Sequence, residues 1–251
     1  MSEQRLFGVR LTTESLSEAV RRVVDTAKRR EGGCATSLAV HGLVEAARNG
    51  VYRDKLERFN IVAADGQPVR WALNILRGAG IVNRVAGTDF MDRICRACAA
   101  ERVSIYFYGS TADTNRRLVE TLRSRYPALT IAGREPSVFR PLTEHEDRDL
   151  VERVNSSGAG VLFLGLGCPL QECFAAEHLG NFAAVQVCVG AAFNIHAGDR
   201  ARAPRILQVS GLEWMYRLLQ EPRRLLRRYA ITNVIFIYLL SKELLLELTC
   251  M

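Results

Sequence analysis

The chain has 251 residues, 48% of them hydrophobic and 24% charged, which supports a normal globular core and excludes global disorder. Its 34 Lys and Arg against 27 Asp and Glu leave a formal charge of +7, an excess suited to phosphorylated ligands, nucleic acid or an anionic membrane. The seven cysteines, at positions 34, 95, 98, 168, 173, 188 and 250, follow no regular framework, and the first twenty residues lack the apolar stretch of a signal peptide, so reduced thiols in a cytosolic protein are expected.

In chain order, six apolar runs read as strands: residues 33–40, 60–65, 103–109, 129–133, 160–167 and 184–190. Segments of helical pattern follow them, among them HGLVEAARNG, PVRWALNILRG, TADTNRRLVETLRSRY, TEHEDRDLVERVNSS and PLQECFAAEHLG. Near-continuous apolar strands alternating with amphipathic helices predict an α/β fold, a mostly parallel sheet with helices on both faces. Thr111 with Thr114 marks one helix start, and Thr143 with Glu146 has capping-box spacing at another. The C-x-x-C pair, Cys95 and Cys98, falls in a helical stretch without a second pair at zinc-finger spacing, so no metal or redox centre is expected there.

After Pro204 the pattern is helical only: ILQVSGLEWMYRLLQ, a break at Glu221-Pro222, then one long run. This divides the chain into an α/β core over residues 1–203 and a helical appendage over 204–251. Between Arg217 and Arg228 stand Arg217, Arg223, Arg224, Arg227 and Arg228 against Glu221 alone. The apolar stretch from Tyr229 to Leu240 is shorter than the roughly 20 residues a membrane-crossing helix needs. Positions 230, 233, 237, 240, 244 and 248 recur at helical spacing, and Ile235, Phe236 and Leu239 make the opposite side apolar as well. Such a segment requires a cover, whether the core, a second subunit in a homo-oligomer, or lipid. The arginines just upstream favour an anionic membrane surface.

In an open parallel sheet ligands bind beyond the carboxyl ends of the strands. Asp65 directly follows the run NIVAA, where a carboxylate serves either as a general base or as an N-cap or Asx-turn residue. In FLGLGCPLQECF, Gly165 and Gly167 end a strand and Pro169 opens a helix carrying Gln171 and Glu172. Small residues there admit phosphate oxygens to backbone N–H groups, and they equally make an ordinary tight turn with Gln171 exposed. The G-x-G-x-x-G fingerprint is incomplete because position 170 is Leu, which disfavours a nicotinamide-dependent oxidoreductase. In VGAAFNIHAGDRARAPR, Gly190 ends a strand ahead of Asn194, His196, Arg200, Arg202 and Arg205. The arginines suit a diphosphate or a solvated face, and His196 reads as structural. Tyr216 and Tyr229 give little stacking surface beside the basic residues, so no nucleic-acid partner is expected.

Six blocks in order, CATSLAVHGLVEAARN, VAADGQPVRWALNILRG, RVAGTDFMDRIC, FLGLGCPLQE, VGAAFNIHAGDRARAP and GLEWMYRLLQEPRRLLRRY, resemble the WecG/TagA/CpsF glycosyltransferases (glycosyltransferase family 26) from about residue 5 to 230. The resemblance implies a Rossmann-like sheet with a C-terminal appendage that closes the site and touches the membrane. It implies an inverting transferase without metal or other cofactor, in which a UDP-sugar is a co-substrate. The acceptor would be a sugar on a polyprenyl diphosphate at the cytoplasmic face of the membrane, where the protein would sit peripherally, and the sugar N-acetylmannosamine, its uronic acid or glucose. Matched residue by residue, Asp65 is the catalytic base and Thr36 a donor or acceptor contact. Gly165, Gly167, Pro169, Gln171 and Glu172 form a nucleotide-sugar wall with Gly190 and Asn194 nearby, and Arg217, Arg224 and Arg227 are candidates to stabilise the departing diphosphate. Two positions depart from the pattern: Leu38 stands where the family has Asn, and Asn194 where it has Asp. A UDP-sugar-binding regulatory module without turnover is the alternative reading.

Overall fold

A computed structural model describes residues 3–249 as an eight-stranded sheet with helices on both faces. Cys250, one of the seven cysteines, lies outside the described residues, as does the side chain of Leu248. The strands are β1 (Glu3–Leu6), β2 (Val9–Thr12), β3 (Gly33–Leu38), β4 (Ile61–Ala64), β5 (Ile105–Gly109), β6 (Ile131–Glu135), β7 (Val161–Gly165) and β8 (Val185–Cys188). Their spatial order is β1-β2-β4-β3-β8-β7-β5-β6, parallel throughout except for the β1–β2 hairpin. Strands β3 to β8 match the six apolar runs, each a little shorter or shifted at its ends.

The period of two along these strands sorts their side chains between two core layers. One layer takes Cys34, Leu38, Val62, Ala64, Tyr106, Tyr108, Leu162, Leu164 and Cys188. Helices α2 (Val40–Arg48), α3 (Gly50–Glu57), α4 (Gln67–Arg77), α7 (Glu144–Ser156) and α8 (Leu170–Glu177) cover it. The other takes Ala35, Ile61, Ala63, Ile105, Phe107, Val161, Phe163, Val185 and Val187. Its cover is α1 (Leu16–Arg29), α5 (Gly87–Glu101), α6 (Ala112–Arg125) and the short α9 (Ala192–His196). Cys95 and Cys98 point from α5 into this second layer, where burial pushes both thiols up, Cys98 to about 12. Buried, protonated thiols of this kind are packing residues. Thr111 and Thr143 cap α6 and α7 through the amides of Thr114 and Glu146, and Thr143 with Glu146 completes the capping box.

The chain before residue 33 adds elements that its pattern did not announce. β1 and β2 turn at Phe7 and Gly8, both with positive φ, and Ser15 with Glu18 makes a capping box at the start of α1. The C-terminal region also divides more finely than its helical pattern indicated. α10 (Arg205–Val209) ends at Ser210-Gly211, and α11 (Glu213–Gln220) follows. Gly211 takes a φ of +79 and approaches Trp71 so closely that an added Cβ would lie 2.7 Å from the indole. Close packing against α4 thus interrupts what reads as one helix.

Helix α12 (Pro222–Thr249) begins at the expected break and runs over the first core layer, against α2 and α4. Its inward stripe is Leu225, Thr232 and Phe236, with Ile235, Leu239, Leu240 and Leu244 packed beside it. The stripe expected from sequence is therefore split: Leu240 and Leu244 face the core, while Ala230 and Ile237 are exposed. Phe236 meets Phe7 edge to face at 5.4 Å. Glu243 accepts from the Phe7 amide and from Arg77 Nη2, and Glu247 pairs with Arg77 as well. Pro222–Glu247 is long and apolar enough to cross a membrane by length and composition, its most apolar 18-residue window having a mean hydropathy of 1.5. That is longer than the stretch visible as an unbroken apolar run, because Ser241, Lys242 and Glu243 interrupt the run without ending the helix.

Candidate active site

The carboxyl ends of β3, β4, β7 and β8 meet at the middle of the sheet. Asp65 leaves the end of β4, its amide donating to Leu38 O at 3.1 Å. The N-cap of α4 is Gly66, with φ +81 and no side-chain cap, so Asp65 is not holding the helix end. Its Oδ1 accepts instead from the adjacent Gly66 N–H at 2.6 Å, and 21% of its side chain stays exposed. Burial pushes the carboxyl up to about 6; Arg84 pulls it back, Glu213 pushes it further up, and the Gly66 N–H and Arg217 pull it down.

Arg84, which was not singled out from the sequence, is delivered by a backbone bond. Val85 N–H donates to Ala64 O at 3.0 Å, which lays the loop between α4 and α5 along the end of β4. One guanidinium nitrogen then sits 3.7 Å from Asp65 Oδ1 while another hydrogen-bonds Glu213 of α11. The only sequence signal was its place as the first letter of the block RVAGTDF. Glu213 was likewise legible only as a letter of GLEW.

Beneath this mouth lies a second polar group. Thr36 in β3 is fully buried and donates its hydroxyl to Glu172 Oε1 at 2.9 Å. Gln171 Nε2 donates to the same oxygen at 2.8 Å, and Glu172 Oε2 has no hydrogen-bond donor among the described residues. Burial raises the Glu172 carboxyl, which favours its neutral form. Gln171 Oε1 accepts from Gly167 N–H at 3.3 Å. An added Cβ on Gly190 would lie 3.2 Å from that same Oε1. Gln171 and Glu172 are thus buried supports behind the turn, with Pro169 as the α8 N-cap. Gly165 is needed for packing, because a Cβ there would sit 2.6 Å from the Phe193 ring. Leu38 turns into the first core layer and touches the space beside Gly42, so this departure from the family pattern points away from the crevice.

Asn194 donates to Asp199 Oδ2 at 3.4 Å, and Asp199 is held further by Thr114 and Arg117. A carboxylate therefore stands beside Asn194, although it is committed to partners. His196 is buried against Thr88 O at 3.1 Å and is a structural residue. Arg202 pairs with Asp89, and Arg200 with Glu221 at 2.5 Å. Of the appendage arginines, Arg217 is among the main charges that act on Asp65, and it lowers the pKa. Arg224 pairs with Glu221, and Arg227 is exposed. A crevice of about 630 Å³ opens at the opposite, amino end of the sheet among Arg22, Arg29, Arg58 and Asn60. Arg22 and Arg29 there are paired to Glu14 and Glu31, and the carboxyl-end mouth is the better candidate on chemical grounds.

Residues 4–249 match the family model of the Glycosyl transferase WecG/TagA/CpsF family. The match spans nearly the whole chain, so the chain belongs to this family and is a glycosyltransferase of cell-surface polysaccharide synthesis.

Proposed function

We propose that this member of the WecG/TagA/CpsF family transfers a sugar from a UDP-sugar to a saccharide carried on a polyprenyl diphosphate, with inversion at the anomeric carbon. The observation that carries this reading is Asp65: a partly exposed carboxylate at a strand end, held by burial to about 6 and flanked by Arg84 and Arg217. A base is most effective when its pKa lies near working pH, and Asp65 meets that condition while remaining reachable. The acceptor hydroxyl attacks the anomeric carbon, Asp65 takes its proton, and the bond to the UDP oxygen breaks. Negative charge then grows on the departing diphosphate, where Arg217, an appendage cation whose charge acts on the base, is suited to meet it. Gln171, Glu172 and Thr36 hold the turn at Gly167 and so shape the donor side from behind.

The acceptor is a lipid, and the C-terminal segment offers a surface for its membrane. Arg223, Arg224 and Arg227 lie in the first turns of α12, whose outward face shows Leu226, Val234, Ile237, Tyr238 and Leu245. Basic residues near an anionic bilayer contribute about 1 kcal/mol each, and apolar insertion adds to that. On this reading residues 204–251 form an appendage that seats the enzyme peripherally on the cytoplasmic face of the membrane. The test is to incubate the purified protein with a panel of UDP-sugars and a short lipid-diphosphate saccharide. Release of UDP with extension of the lipid-linked saccharide by one sugar supports the reading; tight UDP-sugar binding with no product from any donor leaves a binding module in its place.

A further inference from the structure

The contact between the appendage and the catalytic mouth includes an electrostatic group of three members. Asp65 comes from β4, Arg84 from the loop before α5, and Glu213 from the first turn of α11. All three are largely covered, with 21%, 13% and 22% of their side chains exposed. Arg84 is closed onto Glu213 by a hydrogen bond and stands 3.7 Å from Asp65, beyond hydrogen-bonding range. A guanidinium beside a single carboxylate closes on it, frequently with two parallel bonds at about 2.7–2.9 Å. Here two carboxylates compete for one guanidinium, and the appendage carboxylate has taken it.

We propose that Glu213 is a positioning residue: by engaging Arg84 it keeps that guanidinium from closing on Asp65, so that docking of α11 makes the base competent. The inference rests on reading Asp65 as the base. The same docking supplies the cover. Gln67 Nε2 donates to Gln208 O and Val209 O at 3.4 and 3.2 Å, and the Gly211 turn lies against Trp71. When α11 lifts, Asp65 gains water and a free Arg84, and both favour the charged, weakly basic carboxylate. When α11 seats, both effects are withdrawn together. The main influences on Asp65 besides burial belong to this arrangement: the charges of Arg84, Glu213 and Arg217, and the Gly66 N–H hydrogen bond. Asp89 faces Arg84 from α5 and helps hold it without reaching the base. The coupling thus links seating of the appendage to the strength of the base across a single shared arginine.

Two full-length variants test it. Glu213→Gln preserves shape and can still bond Arg84 but removes the charge, whereas Glu213→Asp keeps the charge and shortens the arm. The Asp65 carboxyl is titrated by ¹³C NMR in each, alongside kcat/KM as a function of pH and a melting curve to verify folding. With Gln, the Asp65 titration should move below the parent's midpoint near 6, the acid limb of kcat/KM should move down with it, and the plateau kcat should fall. With Asp, both should lie closer to the parent. An unchanged Asp65 titration in a folded Gln variant overturns the inference, whatever happens to KM. So does an Asp variant as displaced as the Gln variant, since a purely mechanical anchor depends on length rather than charge. A carboxyl titration that moves while the rate profile stays still sustains the Glu213–Asp65 link and removes Asp65 as the base instead.

Discussion

Asp65 is held in a state that costs the fold something. A carboxyl raised from 3.8 to about 6 is harder to ionise in the native protein than in the unfolded chain. The native state therefore has its full relative stability below about pH 4 and loses it as pH rises through 6. At pH 8 the cost is as much as about 3 kcal/mol. Asp65→Asn removes the charge and should melt no lower than the parent at pH 8, with the difference closing as the buffer is taken toward pH 4. A clear destabilisation at pH 8 would mean that the Arg84 attraction outweighs burial. The same variant should lose about 10²- to 10⁴-fold in turnover, the usual contribution of acid–base help, with donor affinity nearly intact. For the parent, kcat/KM should fall as pH drops through about 6, because the base is then protonated. A profile flat to pH 5 would speak against Asp65 as the titrating group.

Helix α12 has two apolar faces with different duties. Phe236 is buried against Phe7 and the first core layer, so Phe236→Ala should cost roughly 3 kcal/mol of stability, read from urea unfolding. Val234, Ile237 and Leu245 line the exposed face. Replacing all three by Glu should leave the melting temperature nearly unchanged while releasing the protein from anionic liposomes in a sedimentation assay. Equal co-sedimentation of this variant and the parent would leave the face for a second subunit. The helix as a whole was legible in the sequence, since Glu221-Pro222 is a clear start and the apolar content demands a cover. Its orientation was not, because apolar residues on nearly every face give several stripes of equal merit. Contacts with Phe7, Arg77 and the hairpin choose among them. That hairpin was missed for a related reason. EQRL and VRLT are short and carry arginines, and the positive-φ turn falls on Phe7 and Gly8, a pair outside the usual turn dipeptides.

At the scale of the molecule, the sheet and its two-sided cover were legible because a parallel strand buried on both faces is an unmistakable apolar run. The strand-end residues followed from the rule for open sheets, which led to Asp65, Gly167 and Gly190. Arg84 and Glu213 obey no such rule. They are brought to Asp65 only by the packing of a loop and an appendage, and no spacing in the sequence relates positions 65, 84 and 213. That arrangement bears on the need for metal. The triplet Asp147-Arg148-Asp149 has a spacing often used for divalent ions, but it lies in α7 with its carboxylates held by His178 and His145. Asp65 and Glu213 converge on the mouth, and the Arg84 guanidinium stands between them, where a cation shared by the two would have to sit. On the proposed reading the charge that grows on a leaving diphosphate is then left to arginine, and Arg217 is the residue assigned to it. Transfer should therefore proceed undiminished in EDTA. Arg217→Ala should lower kcat by about 10²- to 10³-fold, the range for losing one donor to developing charge, with a smaller effect on the KM for the donor. Activity abolished by EDTA and restored by Mg²⁺ or Mn²⁺, with Arg217→Ala near the parent rate, would transfer that role from the appendage to a metal ion.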